Sequence, residues 1–280
     1  MLTDDVRAHC AAIAAHARHV RIDPAAEVPA GGRGGLDPVL HYLEGPPGDV
    51  ARYVLILDAV NFGSGWFAEL GTDTDALTGR LTAHARAEGP WTAGQLRAVT
   101  PAEVGGVLGL DPLHELTPLY ARALNQLGAW LGDGPLALGG SAEAFAERLT
   151  AMPFFADAGF YKRAQIAAHD LFLAGVADYS DIGRLTIFAD NLVPHVLRHF
   201  GVLTYSDELA ARIDGGAELL QGSLEEAEIR GCAVHACEGL AARFGVPAAT
   251  LDNWLWNTGA ELGPTHHPNR RTHVTRTVYY

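Results

Sequence analysis

"SLEEAEIRGCAVHACEGLAARFGVP", residues 223–247, holds the signals of a long helix from start to stop. Ser223 followed three residues later by Glu226 is a capping box, in which hydroxyl and carboxylate satisfy free amides of the first turn. Small and apolar residues then run to Gly245, a fitting C-terminal stop, and Pro247 opens the next segment. A second box, "TPAE" at 100–103, has proline in its first turn. From residue 75 onward the signals are nearly all helical, so the predicted class is mainly α with a few short strands.

The amino-terminal stretch agrees. Thr3 is placed to cap a first helix, Asp4 and Asp5 suit its positive end, and His19 and Arg21 suit the other. Val6, Cys10, Ile13, Ala17 and Val20 recur at helical spacing as one buried stripe. Residues 24–50 are dense in proline and glycine and predict loop, with one short helix around Pro38–Leu43. "RYVLILDAVNF" (52–62) is a compact run of Val, Leu and Ile and the best strand prediction in the chain. The tail "HHPNRRTHVTRTVYY" (266–280) alternates and is expected to be extended. With no fixed-period repeat, residues 1–280 are expected to form a single compact domain whose first fifty residues are the least defined.

The chain has 33 acidic residues against 20 basic ones, a net charge of −13. Affinity for a polyanion comes from neutralising phosphates with basic side chains, so direct nucleic-acid binding is disfavoured, while one nucleotide phosphate needs only a few local cations. Lysine occurs once, at Lys162. Cys10, Cys232 and Cys237 lack framework spacing and read as reduced thiols of a cytoplasmic protein. No segment approaches the ~20 apolar residues of a membrane span, and "MLTDDVRAHC" has no signal-peptide core.

Common catalytic motifs are missing. There is no G-x-x-x-x-G-K-[ST], "GGRGGLD" lacks dinucleotide spacing, and "FGSGW" (62–66) misses the nucleophile elbow. On a helix, Cys232 and His235 share a face while Cys237 turns away, so these residues read as packing and no metal or cofactor is expected. His266 and His267 read as surface residues. Three acids stand out instead. Asp58 ends an apolar run, where a carboxylate is costly unless paired. Asp190 can cap a helix over Asn191–Phe200, with Pro194 in or near its first turn. Asp252 lies among tryptophans in "TLDNWLWNTG", as an early helix acid or as part of a grip on a planar heterocycle with ring N–H donors.

Several stretches together resemble the queuosine salvage proteins, the queuosine 5′-phosphate N-glycosylase family. They are "LDAVNF" (57–62), "FYKRAQI" (160–166), "FADNLVPHVLRHFGVLTYSDEL" (188–209), "EAEIRGCAVHACE" (226–238), "LDNWLW" (251–256) and "RTHVTRTVYY" (271–280). The resemblance implies a helical core similar to helix–hairpin–helix DNA glycosylases. It also implies hydrolysis of the N-glycosidic bond of queuosine 5′-monophosphate, releasing queuine for tRNA modification. By the same resemblance Asp190 is the catalytic acid, Phe188 contacts the base, Asp252 and Asn253 fall on a second base-binding motif, and His41 is an N-terminal contact. Asn257 stands where relatives commonly carry an acid, Asn253 where an aromatic is common, and Asn191 where a tyrosine is usual.

The chemistry is compatible with that reading. N-glycosidic cleavage develops positive charge on the ribosyl ring, which a fixed carboxylate stabilises. Asp58 is a candidate partner for the cationic arm of queuine. Lys162, Arg163 and Arg276 are candidates for the phosphate, with ion pairing to neighbouring helices as the plainer role for the first two. The alternatives are an N-glycosylase of another purine-like nucleoside and a nucleobase-binding protein without turnover.

Overall fold

The computed structural model describes residues 1–32, 34–262 and 270–280; His266 and His267 lie outside the described residues. Thirteen α-helices and one two-stranded sheet are present among the described residues, so the chain is mainly α. In chain order the helices are α1 (Leu2–His16), α2 (Pro47–Ala59), α3 (Ser64–Leu70), α4 (Thr74–Glu88), α5 (Ala93–Ala98), α6 (Pro101–Leu108) and α7 (Leu116–Leu131). They continue with α8 (Ala142–Leu149), α9 (Lys162–Leu173), α10 (Leu192–His199), α11 (Asp207–Asp214), α12 (Leu224–Phe244) and α13 (Ala248–Leu262). Strand β1 (Val20–Ile22) pairs antiparallel with β2 (Leu203–Tyr205), Val20 opposite Tyr205. None of the described helices is long and apolar enough to cross a membrane.

Two compact units are distinguishable. The first comprises residues 1–34, 158–165 and 183–276; the second comprises 35–157, 166–182 and 277–280.

In the first unit α12 is the central element, stopped as its sequence predicts by Gly245 at φ 67°. Ser223 caps it by accepting from the Glu226 amide, while the Glu226 carboxylate accepts from the Gly222 amide and pairs with Arg230. The helix is buried on most of its circumference, Cys232 and Cys237 included, and His235 is exposed. Cys232 and Cys237 are thus packing residues as expected, although they lie on different faces of the helix, whereas His235 is exposed and does not pack. Helix α1 starts at Leu2 with no side-chain cap, so Thr3 is a buried residue of its first turn and not its cap. It ends at His16, and Val20 belongs to β1. The α1–α12 approach is close enough that a Cβ at Gly231 would lie 2.7 Å from Ile13 Cγ2.

In the second unit the main correction is α2. The predicted strand at 52–62 is helical to Ala59, and Tyr53 to Ala59 are all buried. A helix buried on all sides shows no 3.6-residue alternation, so its apolar run looks like a strand. The start signals were nonetheless there, Pro47 in the first turn and Asp49 behind it. The short helix expected at Pro38–Leu43 is a turn, closed by the Leu40 and His41 amides on the Asp37 carbonyl. The capping box at Thr100–Glu103 is present in both directions. The carboxyl-terminal stretch is extended in part, with one isolated bridge between Glu218 and Val274 in the first unit.

Gly231→Ala should destabilise the protein by about 1–3 kcal/mol through overpacking against Ile13. At Gly239, where a Cβ meets nothing within 4 Å, the same change should be neutral or stabilising by up to about 1 kcal/mol. Urea unfolding of the two variants measures the difference.

Candidate active site

Residues 185–190 form neither helix nor strand, yet all six are buried, from Leu185 at 0% to Asp190 at 8% exposure. Buried peptide groups need partners. Here side chains from three helices provide them. Gln165 of α9 accepts from the Thr186 amide through Oε1 at 3.0 Å. Asp252 of α13 accepts from the Phe188 amide through Oδ1 at 2.8 Å. Arg230 of α12 donates from Nε to the Ala189 carbonyl at 3.0 Å. Gln165 also donates from Nε2 to the Phe160 carbonyl at 2.9 Å, tying the turn before α9 to the same segment.

The segment ends on Asp190. Its Oδ1 accepts from the Leu192 amide at 2.8 Å and the Val193 amide at 3.0 Å, the free donors of the first turn of α10. Asp190 thus performs the capping expected of it, although α10 itself begins at Leu192. Pro194 falls in the first turn, where a missing N–H costs nothing. Both hydrogen bonds fall on Oδ1, and Oδ2 has no hydrogen-bond partner among the described residues. The carboxylate thus has one oxygen fixed at the amino-terminal end of a helix and the other uncommitted.

The other predicted residues are distributed as follows. Phe188 is buried and Asp252 is 4% exposed, joined by the bond above. Asn253 and Asn257 are half-buried one turn apart on α13, and Asn257 Nδ2 donates to the Asn253 carbonyl at 2.8 Å. Lys162 and Arg163 open α9, are 5% and 1% exposed, and are both engaged with other groups. Tyr161 before them has φ 49°, the left-handed region that a side-chain-bearing residue occupies at some cost. Arg276 is exposed, with Nε 3.7 Å from Glu218 Oε2. All of these belong to the first unit. His41 and Asp58 belong to the second. His41 lies in the Asp37 turn, its Nδ1 2.9 Å from the Asp37 carbonyl, and burial lowers its pKa from the ordinary imidazole value. Asp58 is fully buried in the last turn of α2 and is engaged there.

Gln165 and Arg230 were not singled out by sequence reading. A signal for Arg230 existed, since a cation inside "EIRGCAV" interrupts a run otherwise suited to burial. His273 is a third omission. Its carbonyl accepts from Asn191 Nδ2 at 3.4 Å, and its buried imidazole, near Arg230 and His195, is pushed down to about 3.

Two outcomes follow from this geometry. Asp252→Ala removes the buried acceptor of the Phe188 amide and should cost about 1–3 kcal/mol, whereas Asp252→Asn keeps an acceptor and should cost less; thermal or urea unfolding reads both. His273 is neutral when folded and protonates in the unfolded chain, so its contribution is full above about pH 6.5 and declines as pH falls toward 3. Stability should therefore drop on acidification with a slope from this group of up to about 1.4 kcal/mol per pH unit. His273→Gln should flatten the urea-midpoint profile between pH 6.5 and 4.

Comparison with known proteins matches residues 152–280 to the family model described as "Queuosine salvage protein". A Sphaerobacter thermophilus protein named queuosine 5′-phosphate N-glycosylase/hydrolase is 33% identical over 276 residues, covering 86% of this chain and 84% of that protein. Proteins of the same name from Mus musculus and Dictyostelium discoideum are 35% and 37% identical, each over 43% of this chain and 40% of their own length. The long match extends well beyond the family model, so likeness is not confined to the carboxyl-terminal half. The chain belongs to the queuosine salvage protein family.

Proposed function

We propose that this chain is an N-glycosyl hydrolase that cleaves queuosine 5′-monophosphate to queuine and ribose 5-phosphate. The observation that carries this reading is the likeness across 86% of the chain to a protein named for that activity. The Asp190 carboxylate gives the chemistry a place. In the reaction the C1′–N bond breaks, the base leaves with a proton on that nitrogen, and water supplies the hydroxyl at C1′. The ribosyl ring is positively charged in the transition state, and Asp190 is the anion assigned to stabilise it. Preorganised groups of this kind contribute on the order of 3–4 kcal/mol each.

A 7-deazapurine has carbon in place of guanine N7, so protonation there cannot activate the leaving group. Contacts to the base edge must carry that task, and Phe188, Asp252, Asn253 and Asn257 are the residues assigned to it. Lys162 and Arg163 are assigned to the phosphate, His41 to an accessory contact and Asp58 to the aminomethyl arm. The partners are the nucleotide and the released base; the acidic balance supports neither a nucleic-acid nor a membrane partner. The buried, reduced thiols Cys10, Cys232 and Cys237 support a cytoplasmic address.

Incubation with queuosine 5′-monophosphate, queuosine and guanosine monophosphate, followed by detection of free base, tests the reading. Queuine from the first is expected; no base from any of the three overturns the enzyme assignment, and faster release from guanosine monophosphate favours an ordinary purine substrate. Asparagine caps about as well as aspartate. Asp190→Asn should therefore keep its melting temperature and queuine affinity while turnover falls roughly a hundred- to ten-thousandfold. Retained turnover would leave Asp190 as a cap alone.

A further inference from the structure

Arg230 is 2% exposed, deep in the first unit, and its guanidinium is held from three directions. Nη1 lies 3.3 Å from Glu226 Oε1, one turn earlier on α12. Its central carbon stands 4.0 Å from the centre of the Phe160 ring. Nε donates to the Ala189 carbonyl at 3.0 Å. A buried cation needs pairing, and a planar one held on an edge, on a face and by an ion pair has little freedom left.

The Ala189 carbonyl belongs to the peptide whose nitrogen is that of Asp190. One side of this peptide is therefore fixed by α12. Beyond it, the Asp190 carboxylate is fixed by the amides of α10. Rotation of the peptide would swing the Asp190 side chain away from where its Oδ1 is held. We propose that Arg230 is a positioning residue for Asp190, setting the carboxylate through the Ala189 carbonyl without touching substrate. The Phe160 ring beneath the guanidinium makes Phe160 a second support of the same arrangement. This rests on reading Asp190 as the catalytic carboxylate. Misplacement of a catalytic group by about 1 Å costs on the order of a hundredfold in rate.

The test compares Arg230→Lys, Arg230→Gln and Phe160→Leu with wild type on queuosine 5′-monophosphate. Queuine titration by calorimetry gives the number of intact binding sites, so kcat is expressed per site. Lysine keeps the charge but not the Nε donor, glutamine removes the charge, and leucine removes the ring while leaving the hydrogen bonds. Positioning predicts that kcat per site falls roughly ten- to a hundredfold in both Arg230 variants and less in Phe160→Leu. KM and queuine affinity should stay within about threefold, because the base-side residues are untouched. A purely structural role lowers the number of sites and leaves kcat per site unchanged, which would overturn the proposal. If neither Arg230 variant folds, Phe160→Leu decides, a fall in kcat per site supporting the proposal and none overturning it. Wild-type protein that releases no queuine defeats the functional reading itself, whereas active wild type with unchanged variants defeats only the role of Arg230.

Discussion

Six buried residues, paired with no strand among the described residues, impose the constraint on which the site depends. Peptide groups at 185–190 are shut away from water, and an unpaired one costs free energy comparable to a lost hydrogen bond. A sheet would have solved this with a neighbouring backbone. Here Gln165, Asp252 and Arg230 do it from three separate helices. The conformation of this segment therefore depends on single side chains of α9, α12 and α13 reaching it. The close α10–α13 approach fits the same picture, since a Cβ at Gly259 would lie 2.8 Å from Leu192 and Val196.

Asp190 shows how structural and chemical roles can share one side chain. Capping uses a single oxygen, Oδ1, and leaves Oδ2 without a partner among the described residues. The helix amides that benefit from the cap also hold the carboxylate in place, and their aligned dipoles favour its charge. The two hydrogen bonds that stabilise the fold here are also those that would preorganise the carboxylate in the proposed catalytic role, so the two roles are compatible. Asp252 has a comparable double reading. Its Oδ1 secures the Phe188 amide, so a residue assigned to the base also shapes the loop that presents a second one.

Local signals were reliable in several places and failed at two, the Thr3 cap and the short helix at 38–43. The stop at Gly245, the capping box at Thr100–Glu103 and the Asp190 cap involve residues only a few positions apart, and each is present. Reading failed where burial erased periodicity, as in α2. It also missed Gln165 and Arg230, because what each does is defined by a partner 21 or 41 residues away. Asp190, Phe188 and Asp252 were named through family resemblance, and the geometry adds that they share a hydrogen-bonded segment. No local pattern carries that fact.

The separations themselves have a kinetic meaning. The contacts that fix residues 186–190 span 21, 41 and 64 positions along the chain. Loops of those lengths close only after their ends have been brought together by other packing, and contacts of large sequence separation slow folding. The partners in α9, α12 and α13 must each be brought to the segment across those stretches of chain. The Asp190 carboxylate is held by amides only two and three residues on, whereas the Ala189 peptide behind it depends on Arg230, 41 residues away. The site therefore joins a contact that closes over two or three residues to contacts that close over tens, and only the second kind carries a large loop-closure cost.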